Sequence, residues 1–345
     1  MQSPFGLDIS DLSLKLISFR RKNKQIELVS HNQIKVPEGY FIDGEIKEKE
    51  KIIELIQTLI STTKGEKIKT PYLISALPET KTFIKLIEIP ASFEEVDLET
   101  IKKEIIQHIP LPLEEVYLDW QKIATRKDKL KILVSVCPKK IVESYLSLLE
   151  GAGLKPLAFE PESVSLSRAI VKGDFLESLV ILDLGAKRSS IIVFDHGTIQ
   201  FTITLSISGE KITKTISEKL KITLEEAEKA KIICGFEEKK CHGILKEILS
   251  SVVEDLIKKI KEAISFYKED HLPPDHRKIT KILLCGGGAN FKSLEEILSQ
   301  KLNLKVEKAN PLLGLKFSSG LSLNQTEALV YTTAIGLALR ELEGV

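Results

Sequence analysis

One pattern occurs twice and constrains everything else. Phe5-Gly6-Leu7-Asp8-Ile9-Ser10-Asp11-Leu12-Ser13-Leu14-Lys15-Leu16 and Ile181-Leu182-Asp183-Leu184-Gly185-Ala186-Lys187-Arg188-Ser189-Ser190-Ile191-Ile192-Val193 each read as an apolar strand with an aspartate, a turn of small and polar residues, and a second apolar strand. The two aspartates stand about half the chain apart. A repeat on that scale predicts two related lobes, each presenting a β-hairpin turn to a shared cleft. Backbone N–H groups and serine hydroxyls in such turns suit a phosphate, and a strand-end aspartate suits a water of a bound Mg²⁺. The plainer reading is a pair of aspartates capping their own turns. It leaves the repetition unexplained, so a nucleotide cleft leads.

Between the repeats, the apolar spacing predicts strands at 5–10, 13–19 and 26–36, a helix at 48–60 with Ile52, Ile53, Leu55, Ile56, Leu59 and Ile60 on its inner side, and a returning strand at 70–77. The pattern then changes: a strand at 83–89, an acidic-led helix from about 94 to 108, the stiff Ile109-Pro110-Leu111-Pro112-Leu113 run and a strand at 116–123 read as an insertion. A strand at 130–137, a helix at 139–152 and a strand at 154–159 resume the first lobe. The second half repeats the design, with helices near 210–220, 224–233 and 244–269, a strand running into Gly286-Gly287-Gly288, and a last helix near 325–341 whose Ala334 and Gly336 suit close backbone packing.

The expectation is therefore an α/β chain of two lobes with mixed sheets. The first-lobe core is placed at 1–77 and 126–177, the inserted subdomain at 78–125, the second-lobe core at 178–206 and 278–345, and a helical subdomain at 207–277. A single Rossmann domain does not fit, because the first turn lacks G-x-G-x-x-G and hairpins precede each crossover helix.

Fifty basic against forty-nine acidic side chains leave a net charge of +1, so no global field draws the chain to nucleic acid or anionic lipid. No stretch approaches the roughly 20 apolar residues of a membrane span. The opening Met1-Gln2-Ser3-Pro4 lacks the basic and apolar segments of a signal peptide, and the cytoplasm is the expected compartment. Cys137, Cys234, Cys241 and Cys285 are scattered and expected as reduced thiols. Cys234, Cys241 and His242 lack a second ligand pair for zinc. The glycine triplet after a buried strand lets backbone approach a flat ligand or an anion, although flexible turns use glycine too.

Six stretches, in order along nearly the whole chain, carry a more specific signal: Gly6-Leu7-Asp8-Ile9-Ser10, the run from Ile109 to Asp119, Gly153-Leu154-Lys155-Pro156, the run from Glu162 to Ala169, Ile181-Leu182-Asp183-Leu184-Gly185, and Tyr331-Thr332-Thr333-Ala334-Ile335-Gly336-Leu337-Ala338. With these the chain resembles the PilM family of type IV pilus assembly proteins, relatives of the cell-division protein FtsA in the actin and heat-shock ATPase superfamily. The resemblance implies a two-lobed actin-like ATPase fold of ribonuclease H-like repeats, with an FtsA-like extra subdomain at the insertion and ATP with Mg²⁺ as cofactors. It makes the turn from Asp8 to Lys15, with Ser10 and Ser13, the first phosphate loop, and the turn from Asp183 to Ser190, with Gly185 and Ser189, the second. Asp8 and Asp183 would hold Mg²⁺ through water. Gly286, Gly287, Gly288 and Phe291 match the adenosine loop.

The same resemblance places Glu228 and Lys231, three apart on one helix face, at the adenosine end, where the plain reading is a surface salt bridge. It places Glu160 and Glu162 near an attacking water, where the plain reading is acids at a helix N-terminus. The implied partner is the short cytoplasmic N-terminal peptide of a PilN-type inner-membrane protein. Ile109, Pro110, Leu111, Pro112 and Leu113 would form one rigid wall of its groove, and a core-edge turn accounts for them equally well. An assembly motor ATPase and self-association are further partner expectations, and the membrane would be reached only through a partner. Ser10 and Asp11 in the first loop, and Lys187 and Arg188 in the second, depart from the superfamily pattern and imply nucleotide binding with weak or no hydrolysis. Two other functions compete. An ATP-dependent small-molecule kinase needs a second-substrate pocket that the insertion does not offer. An FtsA-like filament protein normally uses a C-terminal amphipathic anchor, which Leu339 to Val345 do not resemble.

Overall fold

Strand alternation at the start of the chain folds into three antiparallel strands, β1 (Phe5–Ser10), β2 (Ser13–Lys22) and β3 (Gln25–Lys35). The computed structural model describes residues 3–90, 98–109, 111–126, 129–172, 177–237, 239–240, 243–270 and 278–343. A short hairpin of β4 (Phe41–Ile42) and β5 (Glu45–Ile46) leads to α1 (Lys49–Ser61), which buries Ile52, Ile56 and Leu59 as a single helical stripe. β6 (Lys64–Gly65) adds a bridge to β3, and β7 (Tyr72–Leu77) enters parallel to β1.

The insertion contains β8 (Phe83–Pro90), α2 (Leu98–Ile105), β9 (Val116–Arg126) and β10 (Lys129–Pro138), with the strands in the order β8-β10-β9, all antiparallel. This corrects the expected boundary at 125. That boundary puts β10 in the first-lobe core, yet it is the central strand of the small sheet. Leu130, Ile132, Val134 and Val136 complete a core with Ile101 and Ile105 of α2, so the strand buries its apolar face inside the insertion. The chain then returns through α3 (Lys139–Gly151), β11 (Lys155–Pro161) and α4 (Glu162–Ile170), and β11 lies parallel to β7.

The second lobe starts with β12 (Leu179–Leu184), β13 (Ser189–Asp195) and β14 (Thr198–Leu205). Helices α5 (Gly209–Leu220), α6 (Leu224–Cys234), α7 (Ile244–Ile248) and α8 (Ser250–Asp270) follow, then β15 (Lys281–Cys285), α9 (Leu294–Leu302) and β16 (Lys305–Lys308). Its strand order, β14-β13-β12-β15-β16, repeats β3-β2-β1-β7-β11 strand for strand, an antiparallel meander followed by two parallel additions. The duplication read from the two hairpins is therefore a duplication of whole sheets. It sets Asp8, opposite Lys15, and Asp183, opposite Ser190, at equivalent places on the first strands of the two sheets.

The tail corrects a second boundary. β17 (Leu315–Phe317) pairs with β3, and after α10 (Gln325–Val330) the helix α11 (Thr332–Glu343) packs on β1, β2, β7 and α4, so these residues belong to the first lobe rather than to the second-lobe core. Close approach fixes the docking. A Cβ added at Gly6 would stand 2.3 Å from the carbonyl oxygen of Ala334, and one at Gly336 only 1.8 Å from that of Ser165. Ala334, Ile335 and Leu339 of α11 join one buried cluster with the second-lobe strands and with Ile17, Phe19 and Leu28 of the first sheet, so apolar packing continues across the junction.

Cys137 and Cys285 are free and buried. Cys234, expected as a thiol, is disulfide-bonded, with its partner outside the described residues, as are Cys241 and His242. Among the described residues no helix is long and apolar enough to cross a membrane.

Candidate functional site

The two hairpins bring their aspartates to one space. In the first, the register sets Lys15 across from Asp8, and its Nζ donates to Asp8 Oδ2 at 2.8 Å with both side chains buried. Ser10 Oγ donates to the Ser13 carbonyl at 2.9 Å and lies 3.0 Å from Ser13 Oγ, which closes the turn. In the second, the half-buried Asp183 accepts from the Cys285 thiol at 3.7 Å. Burial, and next the negative charge of Asp8, push the Asp183 carboxyl up to about 6, with Lys15 opposing. Charges coupled this closely face a common volume.

Glycine is needed where the third turn meets this carboxylate. Gly286 has φ +75°, and a Cβ there would lie 2.4 Å from Asp183 Oδ1; one at Gly288 would lie 2.6 Å from Leu184 Cβ. Gly287 is open. The triplet is thus seated on the end of β12, beside the aspartate, rather than being a free linker.

Two further carboxylates converge. Glu162 opens α4 directly after Pro161, and burial, then Asp8 and Glu79, push it up to about 8. Glu79, which the sequence reading missed, begins a 3-10 turn after β7. It is buried, its pKa is raised chiefly by that burial, its Oε2 accepts the Ser163 N–H at 3.1 Å, and its Oε1 has no partner. Its one sequence signal was an acid placed just after the strand-ending Leu77-Pro78.

Arg188 crosses between the lobes. Its Nη2 donates to Asp11 Oδ2 at 2.7 Å and its Nη1 to Thr80 Oγ1 at 2.7 Å, both on first-lobe turns, while Asp11 Oδ1 accepts the Gly44 N–H at 3.1 Å. Its neighbour Lys187 pairs with Glu210 at 2.6 Å. The second turn itself is closed by Gly185 N–H to the Arg188 carbonyl at 3.0 Å, and a Cβ at Gly185 would come 2.5 Å from that oxygen. Ser189 and Ser190 are buried on β13, Ser189 Oγ without a partner.

The second turn also carries the start of α5: Gly209 and Glu210 donate to the carbonyls of Gly185 and Ala186 at 3.0 and 2.9 Å. Behind them Lys231 is buried, pairs with Glu228, and donates to Thr213 Oγ1 at 2.7 Å and to the Gly209 carbonyl at 3.0 Å. Its Nζ stands 5.9 Å from the centre of the Phe291 ring, which meets Phe236 edge-on. Glu228, Lys231, Phe291, the glycine triplet and the second turn form one continuous wall. A solvated surface pair would not bury its lysine.

Glu160 is used differently from the expectation. Its Oε1 receives Arg168 Nη2 and Arg340 Nη1, and its Oε2 receives Arg168 Nη1, each at 2.7 Å. Arg168 also donates to the Gly336 carbonyl at 2.9 Å, so this carboxylate, with both oxygens engaged by arginines, ties β11, α4 and α11 together. Strand alternation and the turn at Pro161 send Glu160 and Glu162 to different surroundings. In the insertion, Ile109 and Leu113 pack against its core, Leu111 and Pro112 are exposed, and Pro110 lies outside the described residues. Exposed Ile106, Tyr117 and Trp120 belong to the same small subdomain.

The residues present fit a hydrated divalent cation. Asp8, Asp183, Glu79 and Glu162 outnumber Lys15 and Arg188, and after burial the neighbouring carboxylates add to the upward shifts of Asp183 and Glu162. Among the described residues no three His, Cys, Asp or Glu side chains gather as direct metal ligands.

Residues 6–342 match the family of type IV pilus assembly protein PilM. The chain is similar to a solved PilM-PilN type IV pilus biogenesis complex, with a TM-score of 0.81, 21% identity and 98% of each chain covered. It is also similar to MreB5 of Spiroplasma citri bound to ADP, with a TM-score of 0.57 and 12% identity over 98% of this chain and 95% of that one. Cell division protein FtsA of Streptococcus pneumoniae serotype 2 is 20% identical over 347 residues, 88% of this chain and 74% of its own length. At such identities the structural likenesses establish the fold, the two-lobed actin-like architecture built on the repeated sheets.

Proposed function

Because the chain belongs to the type IV pilus assembly protein PilM family, we propose that it is a nucleotide-binding scaffold of pilus assembly, closing two lobes over ATP and docking a partner's peptide. The observation that carries this reading is the meeting of Asp8 and Asp183, from equivalent hairpins of duplicated sheets, in one carboxylate-rich space bounded by the glycine triplet. Ser10, Ser13 and Lys15 line the phosphate site on one side, and Gly185, Ser189 and Ser190 line it on the other. Phe291, Glu228 and Lys231 take the adenosine end. Asp8 and Asp183 hold Mg²⁺ through its waters, and the ion supplies neutralisation of phosphate charge. Glu162 is the carboxylate placed to orient a water; Glu160 is not.

Turnover is weak or absent in this reading. Phosphoryl transfer rests on positioning and charge neutralisation, and Asp11 sets an additional buried carboxylate beside the first turn while engaging the nearest second-turn cation. The partner is the N-terminal peptide of a PilN-type inner-membrane protein, received near the exposed apolar edge of the small sheet, which would keep the chain at the cytoplasmic face of that membrane. The PilM–PilN assembly in the similar structure supports that choice.

Isothermal titration of Mg²⁺-ATP into the full chain tests the cleft. The wild type binds, and Asp8→Asn and Asp183→Asn each lose about tenfold or more in affinity, the order of a charge-assisted contact. Absence of binding by the wild type, or unchanged affinity in both variants, overturns the reading. Anisotropy with a labelled PilN-type peptide, with and without ATP, then reads the coupling between lobe closure and docking.

A further inference from the structure

Resting on the nucleotide reading, we propose that Arg188 is a reserve phosphate ligand whose guanidinium exchanges between Asp11 and the polyphosphate of a bound nucleotide, so that Asp11 sets the affinity of the cleft. Arg188 sits in the second turn, its carbonyl closing that turn onto Gly185 and its chain neighbours Ser189 and Ser190 starting β13. A side chain leaving this position has two anionic destinations within the cleft, a phosphate in its own loop or the carboxylate of the opposite lobe.

In this structure it takes the carboxylate. The fork spans Asp11 Oδ2 and Thr80 Oγ1, 2.7 Å each, and so bridges the lobes at two separate first-lobe turns. Asp11 is held from behind by the Gly44 N–H and is almost wholly buried, so it is a fixed partner rather than a mobile surface acid. Carboxylate and phosphate each offer a guanidinium two oxygens at bidentate spacing, and a fork spread over Asp11 and Thr80 is not free to pair fully with a phosphate. In the proposed exchange nucleotide displaces Asp11 from Arg188, and that displacement leaves a buried carboxylate without its cation. The exchange lowers apparent affinity by the fraction of molecules in which Arg188 is engaged elsewhere. It also links occupancy of the cleft to release of a lobe-to-lobe bridge.

The test is a binding cycle with Mg²⁺-ATP on the full chain: wild type, Asp11→Asn, Arg188→Ala and the double variant. Asp11→Asn keeps the shape and frees the guanidinium, and binding tightens about tenfold, the order of one charge-assisted hydrogen bond. Arg188→Ala weakens binding by a similar factor. In the Arg188→Ala background, Asp11→Asn changes affinity less than about twofold, because the competition is gone. Thr80→Val, at an exposed position, removes the second prong, a bond from the charged guanidinium to a hydroxyl, and tightens binding at least about two- to threefold.

Unchanged or weaker binding in both Asp11→Asn and Thr80→Val overturns the exchange while leaving the nucleotide reading intact. Equal tightening by Asp11→Asn in the wild-type and Arg188→Ala backgrounds also overturns it, since that is the signature of simple charge repulsion. A wild type that binds no nucleotide overturns the underlying reading and this inference with it.

Discussion

Replacing Glu162 with glutamine should change how stability depends on pH, in a direction fixed by its surroundings. Burial first, and then Asp8 and Glu79, raise this carboxyl from the ordinary 4.5 to about 8 in the folded chain. Between those values the folded state holds a proton that the unfolded state has lost. Unfolding then releases a proton, so the stabilising effect is complete below about 4.5 and is lost as pH rises through 8, at up to about 1.4 kcal/mol per pH unit. From pH 6 to 8 the upper bound is nearly 3 kcal/mol by the same slope, and because Glu162 is only half-buried, about 1–2 kcal/mol is the expected share. Asp183, raised from 3.8 to about 6, contributes its own slope chiefly below that window and is present in both proteins. Wild type and Glu162→Gln should therefore match only near pH 4.5 and below, and in urea unfolding the variant's advantage should grow by about 1–2 kcal/mol between pH 6 and pH 8. Parallel stability curves for the two proteins from pH 6 to 8 would refute the placement of Glu162 among like charges.

Three other substitutions separate structural glycines and carboxylates from those of the cleft. Glu160→Ala leaves Arg168 and Arg340 facing one another without their shared anion, a loss of about 3–5 kcal/mol, or a melting temperature lower by about 4–7 °C for a chain of this length. A variant melting within about 2 °C of wild type would mean that this triad holds nothing together. Gly336→Ala forces α11 away from Ser165 and costs about 2–3 kcal/mol in urea unfolding, whereas Gly287→Ala, with nothing within 4 Å of the added carbon, stays within about 0.5 kcal/mol. Similar losses in both would contradict the close packing of α11.

How much of this was legible along the chain depends on whether the deciding contact is local. A strand, an aspartate and a turn are neighbours in sequence, so the two hairpins could be read directly, and the lobes follow from their spacing. The sheet to which a strand belongs is a different matter. Leu130, Ile132, Val134 and Val136 alternate as any half-buried strand does, and nothing in that alternation distinguishes the insertion's core from the first lobe's. Likewise Ala334 and Gly336 announced a close approach without naming its partners, which lie at Gly6 and Ser165, far away in sequence. Glu79 escapes a reading of the sequence because its burial is supplied by other elements. Glu160 and Glu162, two residues apart, could not be separated until Arg168 and Arg340 were seen on one of them.

The duplication reaches further than the positions it identifies, because departures from it are informative in themselves. Asp8 and Asp183 occupy equivalent places, but the register sets a lysine opposite the first and a serine opposite the second. Asp8 therefore has a buried cation at 2.8 Å on its own hairpin, while Asp183 has a thiol and the charge of Asp8. Burial first, and then the charge of Asp8, drive Asp183 upward, and with no cation paired to it on its own hairpin the balance of the site is made across the cleft rather than within the second lobe. The second turn does carry a cation, Arg188, but it is spent on Asp11 in the first. Each lobe's charge is thus completed by the other, and a ligand that alters either pairing acts on both.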